Sequence, residues 1–97
     1  MKFLIRSTPS ADQDLDWYTT REQQMILDTV GKFLGVDADV ETRRRKRLRS
    51  NPVAPWELTI GRYRVFFEVH EPGTVKLLAV GHKVHNDLFI RGQRVEI

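Results

Sequence analysis

The stretch Trp56-Glu57-Leu58-Thr59-Ile60-Gly61-Arg62-Tyr63-Arg64-Val65-Phe66-Phe67-Glu68-Val69 decides how this 97-residue chain folds. Trp56, Leu58 and Ile60 alternate with Glu57 and Thr59; Tyr63, Val65, Phe67 and Val69 alternate with Arg64, Phe66 and Glu68. Alternation with a period of two is the mark of a strand with one buried face. Gly61-Arg62 between the runs fits a two-residue hairpin turn in which glycine takes the positive φ of the first central position. Glu71-Pro72-Gly73-Thr74 is a second turn signal. It leads into Val75-Lys76-Leu77-Leu78-Ala79-Val80-Gly81, so three antiparallel strands follow one another.

Upstream, Phe3-Leu4-Ile5 reads as a first strand, ended by Ser7-Thr8-Pro9. Ser10-Ala11-Asp12-Gln13 and Thr20-Arg21-Glu22-Gln23 both match a capping box, which starts one helix near Ser10 and another near Thr20. Ala11, Leu15 and Tyr18 share a face of the first. Ile26, Val30 and Phe33, flanked by Leu27 and Leu34, make the stripe of the second, with Gly35 as its C-terminal cap. Arg91 to Ile97 is a polar tail in which Val95 and Ile97 alternate. The expectation is a single α+β domain over residues 1–97. An N-terminal strand and a two-helix hairpin pack on a mainly antiparallel sheet of about four strands, followed by a short C-terminal element.

Composition narrows the function. Forty per cent hydrophobic residues argue for a folded chain, and the absence of cysteine excludes disulfides and thiolate metal sites and fits a reducing cytoplasm. The apolar runs are too short to span a bilayer, so a soluble, cytoplasmic protein with no membrane partner is expected. The net charge of +3 hides a division: residues 1–41 sum to −4 and residues 42–97 to +7. Six of the sixteen basic side chains crowd into 43–49, as Arg43, Arg44, Arg45, Lys46, Arg47 and Arg49. Such density suits either a solvated segment anchored by Leu48 or an arm that grips nucleic-acid phosphates, where guanidinium groups bind bidentately.

Two metal signals fail. Asp37-Ala38-Asp39-Val40-Glu41 opens like a calcium loop, but Thr42 stands where glycine is required and arginines follow. His82 and His85 have the spacing of a helical turn, yet no third ligand accompanies them. They remain candidates for proton transfer near neutrality, or plain surface and core histidines. No metal and no cofactor is expected.

Three segments together carry a resemblance: Leu48-Arg49-Ser50-Asn51, the hairpin from Trp56 to Val69, and Leu78-Ala79-Val80-Gly81-His82-Lys83. The chain resembles the RelE/ParE superfamily of toxins from bacterial type II toxin–antitoxin systems, over nearly its whole length. The resemblance implies a compact toxin neutralised by a cognate antitoxin. RelE-like members cut mRNA in the ribosomal A site; ParE-like members poison DNA gyrase without a nuclease activity. A basic nucleic-acid-binding domain without toxicity is the third reading.

Metal-free RNA cleavage needs a base for the 2′-hydroxyl, positive charge at the pentavalent phosphate and an acid for the leaving oxygen. The resemblance assigns the charge to Arg64, the family's hairpin arginine, and to Lys83 at the strand end. Arg64 has an alternative reading, as an ion-pair partner of Glu57 or Glu68. His82, His85 and Glu57 are the candidate acids and bases. The two lysine positions of the RelE type fall on Glu57 and Thr59, and its C-terminal tyrosine near Phe89. Phenylalanine can stack on a base but cannot move a proton. RNA contacts are then expected from Arg43, Arg44, Arg45, Lys46, Arg47, Arg49, Arg62 and Phe89.

Overall fold

The computed structural model describes residues 2–97. Strand β1 (Leu4–Ser7) leads into helices α1 (Pro9–Asp16) and α2 (Thr20–Leu34). Strands β2 (Arg45–Arg47), β3 (Trp56–Ile60), β4 (Tyr63–His70), β5 (Thr74–Val84), β6 (Asp87–Ile90) and β7 (Gln93–Val95) follow. Neighbours β2 to β7 pair antiparallel in sequence order, and β1 pairs parallel with the first part of β5. Both helices lie on one face of the sheet, so the architecture is the expected α+β.

The helices start earlier than their first matching sequence signals. Thr8 caps α1, accepting the Ala11 N–H on its hydroxyl at 3.1 Å, and Pro9 opens the helix instead of ending the strand. Proline lacks the N–H that a first-turn position would leave unpaired, so Thr8-Pro9 outcompetes Ser10. Thr19 caps α2 in a reciprocal box with Glu22, one residue ahead of Thr20. Ile26, Val30 and Leu34 bury the helical stripe, while Leu27 is left exposed. Gly35 ends α2 in a right-handed conformation. Its necessity is close approach: a Cβ there would lie 2.7 Å from the Gly31 carbonyl oxygen.

The sheet is wider than about four strands because short polar segments, the basic run and the C-terminal tail, join it. The basic run supplies β2, pairing Arg45 with Leu58, Lys46 with Glu57 and Arg47 with Trp56. The C-terminal tail docks as an edge hairpin, Leu88 opposite Val95. At the β3–β4 turn, Gly61 has φ 58°, as the hairpin reading requires.

Leu78 is the pivot of the sheet. Phe66 pairs with Ala79 and Phe67 with Leu77, so Leu78 is an extra residue on β5. A bulge of this kind reverses the alternation beyond it. Val75 and Leu77 face the helices, and so do Val80 and its partner Val65, whereas Ala79 faces away with Phe66. The main core gathers Leu15, Ile26, Val30, Leu34, Trp56, Leu58, Val65, Phe67 and Val80 under the helices. A smaller one on the other face comprises Ala54, Phe66, Ala79 and Leu88.

β1 and β6 occupy the same edge of β5 and leave a gap between them. Helix α1 closes it. The Asp14 carboxylate accepts the Val80 N–H at 3.0 Å, and Thr8 donates both its N–H and its hydroxyl to the Leu77 carbonyl. Asp14 is 1% exposed, and burial raises its pKa against the opposing pull of the Val80 bond and of Arg91, whose Nε lies 2.9 Å away.

Candidate nucleic-acid interface

Register fixes which side chains share the helix-free face. Lys46, Glu57, Phe66 and Ala79 form one row across β2 to β5. Thr59, Arg64 and Gly81 form the next. Lys83 follows along β5, opposite Leu88, whose side chain belongs to the core of that face. Directly paired side chains on a sheet stand about 5 Å apart at Cβ, so Lys46 adjoins Glu57, while Lys83 lies two residues along β5 from Gly81, the partner of Arg64. The face therefore brings together Arg64, Lys83, Glu57 and Lys46. Of its cations, Lys46 and Lys83 make no ion pair among the described residues, whereas Arg64 Nε lies 3.7 Å from Glu57 Oε1. Arg64 also donates Nη1 to the carbonyls of Gly61 (2.7 Å) and Tyr63 (2.9 Å).

One end of this face is bounded by the loop from Leu48 to Pro55. Asn51 holds it with all of its hydrogen-bonding positions: Oδ1 accepts from Val53 and Ala54 N–H, and Nδ2 donates to the Arg49 and Ala54 carbonyls. Between this loop and Glu68 and Leu78 runs a groove of ≈ 460 Å³, with Arg49 on its rim.

The basic run does not act as one arm. Arg45 turns to the helix side and satisfies the end of α2, donating to the carbonyls of Phe33, Val36 and Val40. Arg44 lies 4.9 Å from the Phe33 ring centroid and Arg47 5.7 Å from that of Trp56. These guanidinium groups lie over aromatic rings. Arg43, Lys46 and Arg49 are exposed and make no ion pair among the described residues.

His82 and Phe89 are on the opposite face from Arg64. His82 pairs with Tyr63, shares a 2.7 Å hydrogen bond with the Tyr18 hydroxyl and lies parallel to Trp17 and to Phe89. Burial lowers its pKa, aided by the Arg62 charge and partly offset by Glu22. Burial, with Glu22 nearby, raises that of Tyr18. Arg62 is paired with Glu22 at 3.2 Å, and Tyr63 donates to the same carboxylate. The Tyr63 bond first, then the Thr19 N–H of the capping box, with a smaller part from Arg62, lower Glu22 to about 2. The cluster ties the β3–β4 turn to the start of α2. His85 sits in the β5–β6 turn, exposed, with φ 57°. Among the described residues no three His, Asp or Glu side chains gather to share a metal. No described helix is long and apolar enough to cross a membrane.

The sequence pattern passes over Asp14 and Arg91, which hold the helix side of the sheet only through tertiary contacts; Lys46, named with the rest of the basic run, is set apart from it only by the structure. Gly81 opposite Arg64 is legible as part of the Val80-Gly81-His82 segment; its need for glycine is not. A Cβ there would meet the Phe89 carbonyl oxygen at 2.6 Å.

No family model and no curated protein matches the chain. Among solved structures it is similar to a chain of the toxin–antitoxin complex RelBE2 from Mycobacterium tuberculosis. The TM-score is 0.73 at 23% identity, covering 86% of this chain and 100% of that one. A likeness at that identity is one of fold alone: two helices on one face of a mainly antiparallel sheet.

Proposed function

We propose that this chain is the toxin of a toxin–antitoxin pair and inhibits translation by cutting mRNA on the ribosome. The observation that carries the reading is that Arg64 and Lys83, on the adjacent strands β4 and β5, share the helix-free face of a RelE-like fold with Lys46 on β2. Cations so placed suit an RNA backbone threaded across the sheet. Arg64 and Lys83 would stabilise the charge that develops on the pentavalent phosphate, with Arg49 and Arg43 holding flanking phosphates. His85, on the turn that ends the Lys83 strand, is the histidine at this end of the site and is assigned proton transfer, taking the proton of the attacking 2′-hydroxyl as base and supplying one to the leaving 5′-oxygen as acid. The partner is a cognate antitoxin, and no cofactor is required by this chemistry.

Primer extension on an mRNA translated by purified ribosomes tests the proposal. Discrete A-site cuts are expected, falling about 10²–10³-fold with Arg64→Ala, the loss typical of removing one transition-state charge donor. Uncut mRNA with folded protein would overturn it.

One observation favours a second reading, gyrase inhibition of the ParE kind. The structure withdraws His82 from the cationic face, leaving fewer acid–base groups there than a nuclease of the RelE type is expected to use. Inhibition of gyrase supercoiling by protein that leaves mRNA intact would establish that alternative.

A further inference from the structure

The carboxylate of Glu57 stands among the cations of the helix-free face, apart from Glu68, which lines the groove beside Leu78 and lies 2.8 Å from His70. Glu57 is 8% exposed and lies between Lys46, its partner on β2, and Arg64 on β4. A buried carboxylate requires compensation, and the nearby guanidinium supplies it. The compensation is incomplete in geometry. Arg64 Nε is buried and has no hydrogen-bond partner, because Glu57 Oε1 at 3.7 Å is beyond bonding distance. The Arg64 side chain is 16% exposed, drawn down onto the turn by the Gly61 and Tyr63 carbonyls. Guanidinium binds oxyanions bidentately, and Nε belongs to one of its two-pronged edges. Here Nε faces a carboxylate that attracts it without bonding to it.

We infer that Glu57 is the internal counter-ion of Arg64: it holds the guanidinium withdrawn and weakens its grip on phosphate, so that only a substrate held by several contacts can engage it. The inference rests on the assignment of Arg64 to phosphate and gives Glu57 a role other than general base. Its charge opposes each phosphate that approaches Arg64. Neutralising it frees Arg64 without removing a group that the chemistry uses. Glutamine is nearly isosteric with glutamate, so Glu57→Gln preserves packing while removing the negative charge.

The test measures binding of the full chain to a fluorescent single-stranded RNA made uncleavable by 2′-O-methylation. Glu57→Gln is expected to bind about tenfold more tightly than wild type at low salt, an electrostatic effect that weakens as salt rises. Its log–log salt slope should steepen by about 0.7, one further phosphate contact on a single strand. Arg64→Gln and the double variant Glu57→Gln/Arg64→Gln should bind alike, because Glu57 acts through Arg64. Equal tightening with and without Arg64 would overturn the inference, as would unchanged affinity in Glu57→Gln. In the ribosome assay, Glu57→Gln should lower KM and retain kcat. A kcat loss of a hundredfold with KM unchanged would make Glu57 a general base and overturn the inference. An Arg64-dependent gain in RNA affinity with no mRNA cutting by any form would sustain the inference and reject the nuclease reading. Melting curves of each variant establish that the proteins compared are folded.

Discussion

On β4, Phe67 turns toward the helices and Phe66 away from them, and both are fully buried. The two faces then part company. On the helix side the titratable groups are tied to partners: Asp14 to Val80 and Arg91, His82 to Tyr18, Glu22 to Tyr63 and Arg62. On the other side a small apolar centre is ringed by cations, of which Lys46 and Lys83 make no ion pair among the described residues. The comparison teaches that one face spends its polar chemistry on holding the fold. The other leaves Lys46 and Lys83 without an ionic partner among the described residues. Strands do this economically, because adjacent residues point to opposite sides.

The largest expected effects test whether the second face has a core of its own. Phe67→Ala should cost about 3–5 kcal/mol in urea unfolding, the usual loss for a buried phenylalanine. Phe66→Ala should cost a comparable amount, about 3 kcal/mol or more, because it too is fully enclosed. A Phe66 variant as stable as wild type would break the comparison and reduce the helix-free face to surface.

A smaller effect separates two neighbours in the basic run. Arg45→Ala should destabilise by about 1.5–3 kcal/mol, since it strands the Phe33 carbonyl of α2 and the Val36 and Val40 carbonyls beyond it. Lys46→Ala should leave stability within about 0.5 kcal/mol and instead weaken RNA binding, with a shallower salt dependence. Thermal melts and RNA titrations of both variants would show the exchange of roles. Equal stability losses would mean that β2 acts only as scaffold.

The smallest effect is in acid. The folded pKa of Glu22, about 2, lies below its ordinary 4.5, so its stabilisation is present above the latter value and fades as pH falls toward the former. His82 is also lowered, so its contribution is full above 6.5 and is lost as pH drops below that. Asp14, raised by burial, works in the opposite sense. Urea midpoints should therefore fall between pH 7 and pH 3, and the part of that fall below pH 4.5 should flatten in Glu22→Gln. An unchanged profile in that variant would detach Glu22 from the turn it is proposed to hold. Histidine chemical shifts would follow His82 separately.

Much of this molecule was written in local pattern. The alternation from Trp56 to Val69, the glycine turn between the strands and the stripe Ile26, Val30 fixed the central hairpin and the longer helix, because burial of one face repeats at short range. The same alternation placed Arg64 with Phe66, and composition pointed to the basic run. The helix starts were displaced only because two overlapping cap signals compete and the backbone can satisfy one. What local pattern could not decide was the face of Lys83 and His82. That depends on Leu78, one extra residue that shifts the pairing of β5 against β4 and reverses every side chain after it. In Val75-Lys76-Leu77-Leu78-Ala79-Val80 nothing marks which apolar residue will be skipped, since each could pack on either face. The division of 43–49 was hidden for a related reason: Arg45 and Lys46 carry the same charge, and only pairing with β3 directs one to the helix carbonyls and the other to the open sheet.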